Sequence, residues 1–280
     1  MEIKVLCWNV EHFSGRLRDG PRADRVQRVA DVIRDEAPDV FAIQEVTGRA
    51  VFEAFSRKLP GYSFTITEGP QTMEILVGVR AGLRSFITQR SEFKRNNPAL
   101  RPGMLVTVTP EPGRNLPILF NHLKSMPDPE GFGLRTAMIE RANGLWRALM
   151  RGPTEADPDA EVPFVIAGDL NLMGMHLSFS QAGVSQDEEI ARTARRFERS
   201  GMRLLRKSHP ATFNKGSGSS LGQSDLDHVI AARHMHFADQ GDGAEVRVAG
   251  WAELDEVAAQ DDWIARYSDH APLIFTVTAF

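Results

Sequence analysis

Polar side chains able to bind a cation or move a proton stand at the ends of apolar runs along this 280-residue chain. Asn9 closes Cys7-Trp8-Asn9-Val10-Glu11, and Glu45 closes Phe41-Ala42-Ile43-Gln44-Glu45-Val46. His122 follows Ile118-Leu119-Phe120-Asn121, while Asp169 and Asn171 follow Phe164-Val165-Ile166-Ala167-Gly168. Asp227 and His228 open another apolar run, and Asp269-His270 precede the last one. In sheet-based α/β proteins, ligands gather in crevices beyond strand ends, so residues distant in sequence can converge there. Carboxylate and Asn amide oxygens are also the donors that a hard divalent cation accepts.

Taken alone, most of these residues have an ordinary structural role. Asn9 suits a turn at a strand end, and Gly168-Asp169-Leu170-Asn171 is turn chemistry in its own right, because Asp and Asn bond their own backbone. A lone histidine such as His122 or His270 is more often a hydrogen-bonded structural residue. Glu45 resists that reading, because a carboxylate ending a run as apolar as 40–43 is costly to bury unless a cation pairs with it. The recurrence of the pattern carries more weight than any one member.

The elements that must position these residues follow from periodicity. Residues 3–10, 40–46, 75–79, 104–109, 118–122, 164–167, 228–232 and 273–277 read as strands, several of them apolar on both faces. Val26, Val29, Ala30, Ile33 and Ala37 repeat at helical spacing behind Pro21, with Pro38 as the stop. Leu134, Met138, Ala142, Leu145 and Leu149 form a second stripe on a helix ending near Gly152. Ser185 and Glu188 make a capping box for a third helix ending about Gly201. The stretches 153–163 and 214–222 read as loops. The whole reads as one large α/β domain with two sheets and outer helices.

Composition narrows the class. Lys and Arg total 33 against 37 Asp and Glu, a net charge of −4, which argues against an indiscriminate nucleic-acid coat protein. No apolar run approaches the roughly 18 to 20 residues a transmembrane helix needs. The N-terminal residues lack the succession of a signal peptide, which implies a reducing cytoplasm. Cys7 is the single cysteine, which excludes structural disulfides and thiolate metal clusters, so any metal must be held by oxygen or imidazole.

Six motifs, Trp8-Asn9-Val10-Glu11, Gln44-Glu45-Val46, Asn121-His122-Leu123-Lys124-Ser125, Gly168-Asp169-Leu170-Asn171, Asp227-His228 and Ser268-Asp269-His270, occur in a telling order. That order resembles the endonuclease/exonuclease/phosphatase superfamily. Its metal-dependent phosphodiesterases include relatives of pancreatic-type deoxyribonuclease, abasic-site exonucleases, neutral sphingomyelinases and inositol-polyphosphate phosphatases. The resemblance implies a four-layered α/β sandwich with two packed β-sheets and outer helices. It also implies a single catalytic domain over residues 1–280 whose motifs meet at one site, and hydrolysis of a phosphate ester by metal-assisted in-line attack of water.

Carried over residue by residue, the resemblance implies that Asn9 and Glu45, with Asp269 as a further candidate, hold Mg²⁺ or Mn²⁺. Asp169 would orient or deprotonate the water, and Asn171 would hold the nucleophile or the phosphate. His122 would donate to the phosphoryl oxygens or leaving group. His270 would stabilise charge on phosphorus or share the acid–base work, with Asp227 bonded to one of its nitrogens. An alternative assignment makes the Asp227 and His270 pair the general base, and the sequence leaves both open. Two positions need comment. Asp225 stands where many relatives carry a basic residue, and Arg101 lies where relatives often place a phosphate-contacting Arg or Tyr.

The group attached to the phosphate is a separate question. Nucleic acid or a nucleotide ranks first. A lipid or sugar phosphate, handled in a sphingomyelinase-like or inositol-phosphatase-like way, is the alternative, and a catalytically dead binding module is the non-enzyme one. Arg192, Arg195, Arg196, Arg199 and Arg203 fall at helical spacing opposite Ile190, Ala194 and Phe197, a stripe fit either for a nucleic-acid backbone or for solvent. Glu253, Asp255, Glu256, Asp261 and Asp262 form an acidic segment that would repel a polyanion if it bordered the cleft. Trp251 and Trp263 flank that segment as stacking or core residues. Gly131-Phe132-Gly133 is too short an apolar hairpin to argue for lipid.

Overall fold

Runs rich in Val, Ile, Leu and Phe form the strands, and three-to-four spacing of apolar residues forms the helices, as their periodicities require. The computed structural model describes residues 2–15, 20–69, 73–157, 159–180 and 182–280, and the elements below are those of the described residues. Met1 and Pro158, touched by the expectations above, lie outside them. In chain order the elements are β1 (Ile3–Ser14), α1 (Arg25–Glu36), β2 (Val40–Thr47), α2 (Arg49–Lys58), β3 (Tyr62–Ile66), β4 (Glu74–Arg80) and β5 (Arg84–Gln89). Then come β6 (Met104–Glu111), β7 (Arg114–His122), α3 (Pro129–Ala156), β8 (Val165–Asp169), β9 (Met175–His176), β10 (Gly183–Val184) and α4 (Gln186–Glu198). The last are β11 (Met202–Leu204), β12 (Asp227–Ala232), β13 (His236–Phe237), β14 (Arg247–Val248), α5 (Val257–Arg266) and β15 (Leu273–Ala279).

The chain divides into two units, each built from separate stretches of sequence: residues 1–85, 206–224 and 237–278, and residues 86–205, 225–236 and 279–280. The first carries a mixed sheet in the order β13-β15-β1-β2-β4-β3, with β14 beside β15. Its β1 and β2 run parallel, joined by α1, and its other named pairs are antiparallel. Leu6, Trp8, Val10, Phe41 and Ile43 on one face pack with Val29, Ala30 and Ile33 of α1 and with Val51 and Phe55 of α2. Burying one such side chain contributes roughly 1.5–3 kcal/mol. Val5 and Cys7, on the opposite face of β1, are buried as well, as expected of a strand apolar on both faces.

The second unit carries the sheet β11-β12-β8-β7-β6-β5. Here β7 and β8 are parallel, joined by the long α3, and their neighbours are antiparallel. Trp146 of α3 stacks on Phe164 at 5.8 Å, and its indole N–H donates to the Ser200 carbonyl at 2.7 Å. Together these are the two mixed sheets with helices of an α/β fold. None of the described helices is long and apolar enough to cross a membrane.

Three features depart from the sequence expectations. α3 continues through Pro153 to Ala156 rather than ending near Gly152. Pro153 removes the one helical donor to the Leu149 carbonyl, and the last turn runs on past it, with the Thr154 hydroxyl donating to the Met150 carbonyl at 2.8 Å. The helices α2 and α5 and the strands β3, β5 and β11 carry weaker patterns: β3, β5 and β11 are sheet edges, and α2 starts after Gly48 with no side-chain cap. Arg203 leaves the arginine stripe, because it lies on β11 and donates to the Met235 carbonyl.

Candidate active site

Two parallel strand pairs do the positioning. Parallel strands joined by a helix end at the same edge of their sheet, so their final residues become neighbours. In the first unit Asn9 of β1 is opposite Gln44 of β2, and the register of both strands shifts just beyond, as at a β-bulge. Glu45 sits in that irregularity with φ 61, a left-handed backbone that a side chain this size seldom adopts and that re-aims its carboxylate. One carboxylate oxygen accepts from the Asn9 amide at 3.2 Å and the other from the His12 backbone N–H at 2.7 Å.

Ser268 ties the Asp269-His270 segment to the same strand end. Its hydroxyl donates to the Asn9 carbonyl at 2.8 Å and accepts from the N–H groups of Glu11, at 3.3 Å, and His270, at 3.1 Å. The Trp8 indole donates to the His270 carbonyl at 2.8 Å, and the His270 ring meets Phe213 edge-on at 5.2 Å. Asp269 is held by Lys215, whose ammonium lies 2.6 Å from Asp269 and 2.6 Å from Glu11. Burial raises the Glu11 carboxyl, but hydrogen bonds and charge from Lys215 and Arg22 outweigh it and hold the group down to about 2. Burial pulls the Lys215 ammonium down, and its two carboxylate partners more than restore it. Nothing local in the sequence marks Lys215 as a site residue: it opens a Gly/Ser-rich loop, and only the fold brings it to two acids.

In the second unit the site residues form a row. His122 of β7 is opposite Asp169 of β8, and Asp169 is opposite Asp227 of β12, so the three side chains project from neighbouring strands on one face. The imidazole Nε2 of His122 lies 3.7 Å from Asp169 Oδ2, and carboxylate oxygens of Asp169 and Asp227 approach within 4.8 Å. All three are almost wholly buried, at 3%, 1% and 2% exposure. Two carboxylates that close and that dry call for nearby positive charge.

Beyond the row, Asn171 adopts φ 49, its N–H bonded to Asp169 Oδ1 at 2.9 Å and its side-chain amide to the Leu123 carbonyl at 3.2 Å. Arg101 donates to the same Leu123 carbonyl at 3.1 Å and to that of His122 at 3.4 Å, so its guanidinium braces the end of β7. Arg135, fully buried on α3, is a residue beside the site that the sequence expectations miss. It binds Glu189 at 2.9 and 3.0 Å and the carbonyls of Met126 and Gly174 at 2.7 and 2.6 Å, clamping the loops that follow His122 and Asn171. Its signal in sequence is weak, since an arginine in a helix is ordinarily solvated.

The two tryptophans singled out in the sequence resolve as packing, whereas Asp261 of the acidic segment lines a pocket with Glu11, Lys215 and Asp269. Trp251 is fully buried, and Trp263 stacks on Tyr267 at 4.9 Å and lies 5.8 Å from Trp8. Within the acidic segment, Glu253 pairs with Arg247, Asp262 with Arg266, and Asp261 with Ser217. The backbone of Asp225 is bonded on both sides by the Gln186 side chain.

The sequence pattern of the Endonuclease/Exonuclease/phosphatase family matches residues 6–270. Among curated protein sequences none matches this chain. Solved structures share its fold at low identity. A humanized TDP2 of D. rerio is 17% identical with a TM-score of 0.64, covering 99% of both chains. D. rerio TDP2 complexed with a single-strand DNA product is 17% identical with a TM-score of 0.63, again over 99% of both chains. A mannosyl-6-phosphatase of Bacteroides thetaiotaomicron is 15% identical with a TM-score of 0.60, covering 99% of both.

Proposed function

Because the chain belongs to the Endonuclease/Exonuclease/phosphatase family it is a phosphoester hydrolase, and we propose that its substrate is a phosphodiester in nucleic acid or a nucleotide. The reading extends to the whole chain as one catalytic domain using Mg²⁺ or Mn²⁺. The observation that carries it is the buried row His122, Asp169 and Asp227, an arrangement costly to maintain for structure alone. The D. rerio TDP2 structure with its DNA product supports a nucleic-acid substrate. The mannosyl-6-phosphatase favours keeping sugar phosphates as the second reading. A lone, buried cysteine suits a reducing compartment and supports a cytoplasmic location.

Asn9, Glu45 and Asp269 would hold the cation, and their donor chemistry fits it: carboxylate and amide oxygens, with no thiolate among them. When bound, that cation supplies Lewis-acid charge against a nonbridging phosphate oxygen. Lys215 holds Asp269, and the Ser268 hydroxyl holds the strand end that bears Asn9. Asp169 orients the attacking water, steadied through Oδ1 by the Asn171 N–H. His122 donates to the phosphoryl oxygens or the leaving group, and Asn171 holds the nucleophile or phosphate. Asp227 completes the buried row beside Asp169, and His270 stabilises charge on phosphorus. Arg101, held on the end of β7, contributes positive charge toward the substrate phosphate.

The test is a substrate panel of single- and double-stranded DNA, RNA, mononucleotides, sugar and inositol phosphates and sphingomyelin, with Mg²⁺ and with Mn²⁺. Nucleic acids or nucleotides should turn over fastest; a preference for sugar phosphate or lipid overturns the substrate. Asp169→Asn and His270→Ala should each lose at least about a hundredfold in rate with the fold intact, since each removes proton-transfer or charge-stabilising capacity. Near-wild-type turnover in either would contradict the roles.

A further inference from the structure

Within the second unit, α3 and α4 border a cavity of about 400 Å³. One wall is Arg192, Arg195 and Arg196 of α4 with Arg199 at its C-cap; Phe132, Thr136 and Ile139 of α3 form the other. The volume is that of a ligand site rather than a packing defect. Its charge is unbalanced. Glu189, the acid lining it, is buried and bound bidentately by Arg135 from behind, and Arg196 pairs with Glu140. Arg195 and Arg199 are exposed and form no ion pair among the described residues, while Arg192 has near it Glu188, whose carboxylate is engaged in the capping box at Ser185. Three solvent-facing guanidiniums thus share one groove with an apolar wall.

We propose that this groove binds the phosphates of a nucleic-acid strand, holding the polymer at a place separate from bond cleavage; the proposal rests on the nucleic-acid reading of the substrate. From Arg192 to Arg199 the helix rises about 10 Å, at roughly 1.5 Å per residue. One strand of duplex DNA carries a phosphate per about 3.4 Å of axis, so the arginines span about three phosphate spacings, one for each guanidinium. The guanidinium fork matches phosphate oxygens, and Phe132 and Ile139 offer the sugar or base a dry surface.

The experiment uses the full chain with Arg192→Glu, Arg195→Glu and Arg199→Glu combined, three exposed positions whose replacement leaves the cores untouched. Fluorescence anisotropy of a labelled single-stranded DNA oligonucleotide in EDTA reads binding without turnover. The triple variant should bind at least about tenfold more weakly at low salt, and its log–log salt slope should flatten by about 2, since each phosphate neutralised on a single strand contributes roughly 0.7. Hydrolysis of a chromogenic bis-phosphodiester with Mn²⁺ should remain at the wild-type rate. A mononucleotide and tripolyphosphate, tried as competitors, should displace the oligonucleotide weakly if a strand is the ligand. Unchanged affinity and slope in the triple variant overturn the groove even if the wild type cleaves DNA. Arginine-dependent DNA binding by an enzyme that hydrolyses no nucleic acid upholds the groove and overturns the substrate. Preferential arginine-dependent binding to phosphatidylserine vesicles overturns the nucleic-acid assignment.

Discussion

Replacing Arg135 by Met should destabilise the protein far more than the loss of a surface arginine would. The guanidinium is fully buried, reaches both oxygens of Glu189 at 2.9 and 3.0 Å, and donates to the carbonyls of Met126, Gly174 and Lys124. Methionine keeps much of the volume but leaves the buried Glu189 without its cation, a loss worth about 3–5 kcal/mol. With a urea m-value near 3 kcal/mol per molar, the unfolding midpoint should fall by roughly 1–1.7 M. The double variant Arg135→Met with Glu189→Met removes the stranded charge and leaves the neutral backbone groups of Lys124, Met126 and Gly174 short of partners, each costing about 1 kcal/mol. The double variant should therefore be no less stable than the single one, giving a coupling energy of at least about 2 kcal/mol. Because Arg135 clamps the loops following His122 and Asn171, Arg135→Lys should also lower kcat, an ammonium being unable to reproduce the fork. A single variant within about 1 kcal/mol of wild type, or additive losses in the cycle, would refute the clamp.

Three further outcomes follow from other parts of the structure. Gly103→Ala would place a Cβ 2.6 Å from Asn121 Oδ1 and 2.8 Å from Leu119 Cδ1. Overpacking there should cost about 1–3 kcal/mol in urea unfolding and reduce turnover through His122, whereas an unaffected enzyme would mean the close approach relaxes freely. EDTA should abolish hydrolysis, and Mg²⁺ or Mn²⁺ should restore it, with the far-UV circular dichroism spectrum unchanged because apolar cores hold both sheets; unfolding on chelation would show the metal to be structural. Glu11 drops from an ordinary 4.5 to about 2 in the folded protein, so the unfolded chain binds more protons between those values. Its contribution is therefore present above pH 4.5 and lost as pH falls toward 2. Glu11→Gln should flatten the loss of urea stability over that range, and a wild-type acid profile would exclude the Lys215 and Arg22 network as its source.

Secondary structure and chemistry were legible here to different degrees. Strands buried on both faces, such as β1, β2 and β8, announce themselves as apolar runs, and the Ser185–Glu188 capping box forms both of its bonds. The edge strands β3 and β5 do not, because half-exposed strands tolerate polar residues and blur the alternation. Pro153 misled at the end of α3, because a proline costs a helix one donor without obliging its last turn to stop, and α3 runs on to Ala156.

Residue type and order alone determined the family and its phosphoester chemistry, because six strand-end motifs are properties of the chain itself, and the single cysteine pointed to oxygen and imidazole for any metal ligand. Only tertiary structure decided which groups touch. Register places His122, Asp169 and Asp227 in one row, since a shift of one residue would turn each side chain to the other face of the sheet. Folding also brings Lys215 to two acids more than fifty residues away and turns Arg135 inward to a buried glutamate. Such partners are separated along the chain by loops and crossovers whose path no local pattern encodes, so their pairing becomes visible only once the sheets and helices have packed.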